Sequence, residues 1–226
     1  MATVALSLHT SGIASSVSSQ DTAVVTLTAG RVYYLYVGNS IDIATPTLPT
    51  VSGWTQIGTV TAAWDLTRLT LFRKVGDGSE VAQTIDFAAV EQARVQWAME
   101  EATDANTTTP EVAGNNKTGT ASSATPTVTF DAFADATNNA GLFGFFVQNP
   151  ADTATEEVGW TEDFLEASNY RMGVIWKSGG ADLTPSWTID PSMAWRGVGC
   201  EIASSAAPTT GGGGAYYQHY YLSVVT

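Results

Sequence analysis

The sequence predicts an all-β fold, a jelly-roll-like antiparallel β-sandwich with an extended C-terminal tail. Short apolar or alternating runs recur about every ten residues between Gly, Pro, Asn and Asp, a pattern typical of sandwiches and jelly rolls. Apolar residues keep no sustained helical spacing, apart from one short turn near residues 88–94. Charged residues make up 14% of the chain, well below the roughly 25% of ordinary soluble domains. Uncharged polar residues must therefore cover the surface, which favours strands and extended loops.

An internal duplication divides this fold in two. Gly53-Trp54-Thr55 recurs as Gly159-Trp160-Thr161, and a strand that ends on Lys74 before a Gly-rich turn recurs as one that ends on Lys177. Drifts in spacing fall in loops, where insertions are tolerated. We predict repeat one over residues 1–103, a linker over 104–124 and repeat two over 125–205, each repeat being about 100 residues long. Both repeats are expected to form one compact unit, since the strand at 93–102 resembles the strand at 2–9 and could lie beside it.

The strands of repeat one follow from local patterns. Apolar and polar residues alternate over 2–9 and 67–75, which predicts strands with one buried face. Further strands are predicted over 22–28, 31–37, 54–60, 81–87 and 93–102. Ser and Gly predict a loop over 11–20, and Pro46 and Pro49 exclude residues 40–52 from a sheet interior.

Repeat two is predicted from the same signals. Residues 103–124 contain almost no bulky apolar side chain, so they are predicted to form a long connecting loop. Strands are predicted over 126–130, 140–148, 157–167, 170–177, 183–189 and 193–204. The run 140–147 is the most apolar of the chain and is expected to be buried on both faces. Trp54 and Trp160 take the same place in both repeats, so we expect them to pack in the core.

The tail differs from both repeats. Residues 206–210 lead into Gly211-Gly212-Gly213-Gly214, which predicts a flexible hinge. The last twelve residues combine aromatic and apolar side chains and predict a contact segment. Two alternatives are open: the segment folds back as a last edge strand, or it adds a strand to a neighbouring subunit. The interface candidates are Tyr216, Tyr217, His219, Tyr220, Tyr221 and Leu222.

Composition excludes several classes of partner. A net charge of −13 repels phosphate backbones, so we expect no nucleic-acid partner. No apolar run approaches the roughly 18 residues of a membrane span, so we expect no membrane partner. The first residues read as a strand, without the basic start of a signal peptide, and we expect synthesis in a cytoplasm without export by the usual route. Cys200 lies in an apolar run, which predicts a buried, inert thiol.

Catalytic machinery is not indicated. The two histidines, His9 and His219, are far apart in the sequence and are interpreted as a strand residue and an interface residue. Glu100 and Glu101 are adjacent, so their side chains point to opposite faces of a strand and are interpreted as structural. Asp77 lies in a Gly-Asp-Gly turn, and a plain hairpin turn is favoured over a calcium loop. We therefore predict that the protein is not an enzyme and has no catalytic residue, no cofactor and no metal site.

Exposed tryptophans offer one alternative role, the stacking of sugar rings. Trp64 lies in a predicted loop and has no counterpart in the duplication, so it is the candidate for a glycan contact. Trp187 and Trp195 lie within predicted strands.

One stretch carries a resemblance to a known family. Gly53-Trp54-Thr55-Gln56-Ile57-Gly58, followed by a strand that ends on Arg73-Lys74 and a turn at Gly76-Asp77-Gly78, resembles jelly-roll structural proteins of tailed bacteriophages. The resemblance implies a virion protein, a capsid decoration protein or an appendage, that forms homo-oligomers, often trimers. The implied partners are the major capsid protein or other virion proteins. We adopt capsid decoration as the hypothesis, with a virion-borne glycan-binding or tail or head appendage module as the alternative.

Overall fold

The computed structural model describes residues 2–61, 66–148, 153–166, 170–180 and 182–205. Every strand pairing in these residues is antiparallel, and the all-β prediction is confirmed. The first set of strands is β1 (Ala5–Val17), β2 (Ser19–Asp21), β3 (Val25–Thr26), β4 (Val32–Ser40), β5 (Thr50–Val51), β6 (Thr55–Thr61), β7 (Thr67–Val75), β8 (Glu80–Val81), β9 (Thr84–Asp86) and β10 (Gln92–Thr103). The second set is β11 (Glu111–Ser123), β12 (Ala140–Gln148), β13 (Thr153–Glu156), β14 (Thr161–Glu166), β15 (Tyr170–Ser178), β16 (Trp187–Asp190) and β17 (Met193–Ile202).

The two sets repeat one topology. The large sheet of the first set has the order β1-β10-β4-β7-β6, and that of the second set has the order β11-β17-β12-β15-β14. Each strand has a counterpart at the same place in the other sheet. The small sheets also correspond, since β2-β9-β5 in the first set matches β13-β16 and the bridge between Thr127 and Ser186 in the second. The predicted division into two sets of about 100 residues is therefore confirmed.

The predicted pairing of the first and last strands of repeat one is also present. β1 lies antiparallel to β10, with Ala5 opposite Thr103 and Val17 opposite Gln92. The loop predicted over residues 11–20 is wrong, because β1 continues to Val17 and β2 follows at once. Gly12 lies opposite Trp97 in this strand pair, and the ring of Trp97 occupies the space where a side chain at position 12 would stand.

A second difference concerns the predicted linker. Residues 111–123 form β11, an edge strand that pairs with β17 from Asn116 opposite Cys200 to Ser123 opposite Met193. An edge strand can be built from Thr, Gly and Asn because backbone hydrogen bonds hold it while its side chains remain largely in water. A prediction based on apolar burial misses such a strand.

The two large sheets pack against each other through a shared core. This central core combines side chains of both repeats, including Tyr34, Tyr36, Phe146, Val198 and Cys200. The opposite face of each large sheet is covered by the small strands and loops of its own repeat, which makes two outer cores. The strands β4 and β12 are consequently buried on both faces, as their continuous apolar runs predict.

Glycines allow the closest approach between the sheets. The ring of Tyr36 lies on Gly144, where an added Cβ would be 2.6 Å from Tyr36 Cε1. The ring of Phe146 lies on Gly38, where an added Cβ would be 2.6 Å from Phe146 Cδ2. Tyr36 also donates a hydrogen bond to the carbonyl of Val198 at 3.0 Å. These contacts join the repeats at the centre of the molecule.

Candidate contact surface

The predicted contact residues of the tail lie outside the described residues, and so does Trp64. The structure does describe the surface at which the chain reaches Ser205. Ser204 forms a bridge with Ala105, its backbone N–H donates to Asn139 Oδ1 at 2.9 Å, and its hydroxyl donates to the carbonyl of Ala2 at 2.8 Å. The start of the tail is therefore fixed by residues of both repeats.

A buried carboxylate holds the loops around this exit point. Glu201 is fully buried. It accepts hydrogen bonds from Asn115 Nδ2 at 2.6 Å, Asn139 Nδ2 at 2.6 Å and the backbone N–H of Ala134 at 2.8 Å. Asn115 Oδ1 in turn accepts from the backbone N–H of Asp131 at 2.8 Å. A buried charge is tolerated when hydrogen bonds satisfy it, so the geometry of Glu201 is that of a structural carboxylate.

Two open grooves lie at the exit point, and Asn106 lines both of them. The larger, of about 380 Å³, is lined by Gly30, Arg31, Asp104, Ala105, Asn106, Thr107 and Ser205. The smaller, of about 190 Å³, is lined by Asn106, Thr109, Val112, Ala134, Asp135, Asn139, Ala203 and Ser204. Asn106 is itself fixed, since its Oδ1 accepts from the backbone N–H groups of Thr108 and Thr109 at 2.9 and 3.0 Å. The larger groove is mainly polar and the smaller one mainly apolar, and neither encloses a small molecule in the way that ligand pockets do.

A cluster of ionisable side chains borders the larger groove. Glu101 accepts a hydrogen bond from the Tyr33 hydroxyl at 3.1 Å and lies 3.6 Å from Arg31 Nε and 3.5 Å from His9 Nδ1. Burial raises the pKa of Tyr33, so its phenol remains a donor. His9 lies in β1, as predicted, and its ring packs edge-on against Tyr33 at 5.2 Å between centroids. The cluster ties β1, β4 and β10 together beside the exit point.

The candidate sugar-stacking tryptophans that the structure describes pack in or against the hydrophobic cores. Trp160, Trp187 and Trp195 are buried in the outer core of repeat two. Trp54 is half-buried against the outer core of repeat one, and its indole N–H donates to Gln83 Oε1 at 2.9 Å. Trp160 donates in the same way to Asp182 Oδ2 at 2.9 Å. The prediction that Trp54 and Trp160 serve packing agrees with these contacts.

Cys200 has the buried environment that its sequence context predicts, and Asp77 lies in a turn that connects two different sheets. Cys200 is fully buried, and burial raises the pKa of its thiol well above the ordinary value. Asp77 accepts from the backbone N–H of Ser79 at 2.9 Å, and hydrogen bonds from Ser79 lower its pKa to about 2. This geometry is that of an ordinary Asx turn. The favoured hairpin is wrong, because the strands that flank the turn belong to different sheets: β7 pairs with β4 and β6, whereas β8 pairs with β3.

Comparison with known proteins adds no family. No family model, no curated protein and no solved structure matches this chain. Within the described ranges, no three His, Cys, Asp or Glu side chains are grouped so that they could hold a metal ion. The same ranges contain no helix that is long and apolar enough to cross a bilayer. The class that the fold itself defines is an all-β protein made of two topologically equivalent halves.

Proposed function

We propose that this chain is a structural protein of a tailed-phage virion, a decoration or cement protein that braces the capsid shell through protein–protein contacts. The observation that carries the proposal is that polar and aromatic side chains of this doubled β fold form hydrogen bonds that stabilise its own loops and strands. Glu201 and Trp160 hold loops, and the cluster around Glu101 holds strands. The outer surface that remains is suited to contact.

Strand order supports the jelly-roll part of this proposal. A jelly roll of eight strands winds so that the first, eighth, third and sixth strands share one sheet and the second, seventh, fourth and fifth share the other. When the short pair β3-β8 is left out, eight strands of repeat one remain, and the first, eighth, third and sixth of these are β1, β10, β4 and β7, which are neighbours in that order. The second, seventh and fourth positions form β2-β9-β5. Two features depart from the eight-strand order: β6, at the fifth position, pairs with β7 in the large sheet, and β3-β8 is an additional pair.

The edges of the large sheets support a role in assembly. β1 and β11 are edge strands of 13 residues each, and β1 contains no Asp, Glu, Lys or Arg. Long edge strands with few charges are templates for pairing with another chain. Leu8 and Ile13 of β1 are 39% and 53% exposed, which adds apolar area beside this edge. A homo-oligomer, for which the resemblance implies a trimer, would have such an edge available to a neighbouring subunit or virion protein.

The first test removes the tail. A chain that ends at Thr210, without the Gly hinge and the Tyr-rich segment, is expected to lose self-association and binding to empty capsids, because the proposed contact side chains are gone. Mass measurement by light scattering and co-sedimentation with capsids that lack the protein would read out the two effects. An unchanged oligomer that still binds capsids would remove the tail from the proposed function.

A matched pair of variants separates tail chemistry from loss of chain length. Tyr216, Tyr217, Tyr220 and Tyr221 are all changed to Ser in the full-length chain, and Val158→Ser serves as the control. Val158 is 97% exposed and lies on a turn, so its substitution removes an apolar side chain elsewhere on the surface. The Tyr variant is expected to behave like the truncation, and Val158→Ser like the unchanged protein.

The alternative function, a virion-borne glycan-binding or appendage module, depends on Trp64. It is favoured by one observation: the other tryptophans weighed for sugar stacking, Trp54, Trp160, Trp187 and Trp195, are engaged in packing. Decoration remains the preferred proposal because the supporting edges and exit surface belong to the described fold.

A further inference from the structure

Two carboxyl groups face each other between the repeats. Glu100 of β10 is fully buried on the face of its sheet that meets the other repeat, and its carboxyl group lies against that of Asp163 of β14. Three carboxyl oxygens of this pair, Oε1 and Oε2 of Glu100 and Oδ2 of Asp163, receive no hydrogen bond from an N–H or hydroxyl donor among the described residues. Ionised carboxylates only accept, so the two groups can bond to each other only if one carries a proton.

A bulge in β14 places Asp163 at this position. The register of β14 against β15 shifts between Glu162 and Phe164, so Asp163 is an extra residue that opposes no partner. β-bulges re-aim a side chain in this way. β6 contains the equivalent bulge between Gln56 and Gly58, where the extra residue is Ile57.

Each of the two acids has an apolar residue at the equivalent position of the opposite repeat. Ala102 is opposite Val32, the first residue of β4, and Ile202 is opposite Ala140, the first residue of β12. Two residues earlier in each strand, Glu100 therefore corresponds to Cys200, just as Asp163 corresponds to Ile57. Cys200 belongs to the central core, and Ile57 packs against it. The fold thus accepts an uncharged pair at this place, and the architecture does not require the two acids.

The acid pair also differs from a partly buried carboxylate between the repeats, Glu111. Glu111 of β11 has a cation beside it, with Arg73 Nε at 3.4 Å, and accepts from the Tyr34 hydroxyl at 3.1 Å. The described groups around Glu100 offer no such charge. The cross-strand neighbours of Glu100 are Leu8 of β1 and Tyr34 of β4. From the other repeat, β14 contributes Asp163, and β15 contributes Trp176, which interacts with Asp163. The phenol of Tyr36 on β4 is a further titratable group that interacts electrostatically with Glu100.

We propose that Glu100 and Asp163 form a proton-dependent latch between the two repeats. The latch is closed while the pair holds at least one proton, which one carboxyl donates to the other. It opens when both groups are ionised, because two unscreened negative charges then face each other between β10 and β14. The other side of the interface, where β11 lies against β6, carries apolar residues at the equivalent positions and remains closed.

The direction of the pH effect follows from the environment of the pair. Burial and the charge of Asp163 raise the pKa of Glu100 well above its ordinary value. Burial also raises the pKa of Asp163, although hydrogen bonding with Glu100 and with the Trp176 indole lowers it in part. Folded-state pKa values above the unfolded values mean that the latch stabilises fully below the unfolded pKa and is lost as pH rises through the folded pKa. Tyr36 stays neutral throughout, since burial raises the pKa of its phenol.

The test compares unfolding of the full chain with that of Glu100→Gln between pH 5 and 9. Gln can donate to an ionised Asp163 without a proton from solvent. We compare the unfolding equilibrium constant of the unchanged protein with that of the variant at each pH. This ratio is expected to rise about tenfold per pH unit between the pKa of Glu100 in the unfolded chain and its pKa in the folded protein. Glu91→Gln, which removes the same charge at an exposed position before β10, should follow the unchanged protein. Parallel curves for the unchanged protein and Glu100→Gln would overturn the latch.

Two further experiments test the proton mechanism: a double variant, and unfolding of the protein in the presence of Ca²⁺ or Mg²⁺. The double variant Glu100→Cys with Asp163→Ile copies the equivalent pair of the other side, and it is expected to fold and to be insensitive to pH in this comparison. The protection of β14 amides against hydrogen exchange, relative to the base-catalysed exchange of an unfolded chain at the same pH, should fall at high pH in the unchanged protein and not in the double variant. Stabilisation by Ca²⁺ or Mg²⁺ at pH 8 that Glu100→Gln abolishes would overturn the proton mechanism, since the pair would then be a cation site.

Discussion

The contacts at the centre of the molecule depend on the absence of single side chains. Tyr36 and Phe146 each cover a glycine of the other repeat, and an added Cβ at Gly144 or Gly38 would be 2.6 Å from an aromatic carbon. Real Cβ atoms do not approach that closely, so the sheets would have to separate. Extra atoms in a well-packed core typically cost about 1–3 kcal/mol.

The corresponding prediction concerns Gly144→Ala and Gly38→Ala. Each substitution is expected to lower the free energy of unfolding by about 1–3 kcal/mol, measured by urea denaturation. Ser15→Ala, on an exposed position of β1, is the control and should change the free energy by less than about 0.5 kcal/mol. Values for both glycine variants that match the control would show that the sheets do not pack in this way.

Residue patterns predicted the environment of some acids and not of others. The opposite orientation of Glu100 and Glu101 follows from strand geometry, and the structure places Glu100 toward the other repeat and Glu101 toward Tyr33. The proximity of Glu100 to Asp163 does not follow, because it depends on a bulge and on how the two sheets meet. Both features are set by contacts between residues far apart in the sequence.

At the scale of elements, strands with a buried face were predictable and edge strands were not. β4, β7 and β12 carry dense or alternating apolar residues, and predicted and observed bounds agree within a few residues. β11 and the second half of β1 carry Ser, Thr, Gly and Asn. Their formation depends on the hydrogen bonds that β17 and β10 offer, which no local pattern reports.

A glycine of β11 provides a test of this strand. An added Cβ at Gly119 would be 2.7 Å from the carbonyl oxygen of Thr127 and 3.0 Å from Trp195 Cζ3. Gly119→Ala is therefore expected to destabilise the protein by about 1–3 kcal/mol in urea denaturation, since backbone cannot move aside as easily as a side chain. Ser122→Ala, exposed on the same strand, is the matched control. Equal stability of the two variants would mean that residues 111–123 form a loop, as their composition predicts.

At the scale of the whole molecule, the shared core makes the halves one unit. The central core draws on both sheets, and Val4 of repeat one donates its backbone N–H to the carbonyl of Asn138 at 2.9 Å. The Tyr36 hydroxyl, bonded to Val198, adds a second buried link. Separation of the repeats would expose this apolar surface to water, which is strongly unfavourable.

This unity predicts the outcome of cutting the chain between the repeats. A specific protease site inserted between Thr107 and Thr108, both exposed, is expected to be cleaved without release of either half. The two fragments should co-elute from a size-exclusion column in buffer and separate only in denaturant, with the uncut protein as reference. Separate elution in buffer would show that each half is stable alone and that the shared core contributes little.

The aromatic rings on glycines have a consequence for the origin of the protein. Counted from the start of β4 and of β12, Tyr36 and Gly144 occupy the same place, and so do Gly38 and Phe146. Each of these two positions in β4 therefore contacts the equivalent position in β12. Two identical chains related by a twofold axis make contacts of this kind. We expect that the ancestor of this chain was a single repeat that formed a homodimer through the face of its large sheet. Fusion of two copies of its gene then allowed the two repeats to diverge in sequence.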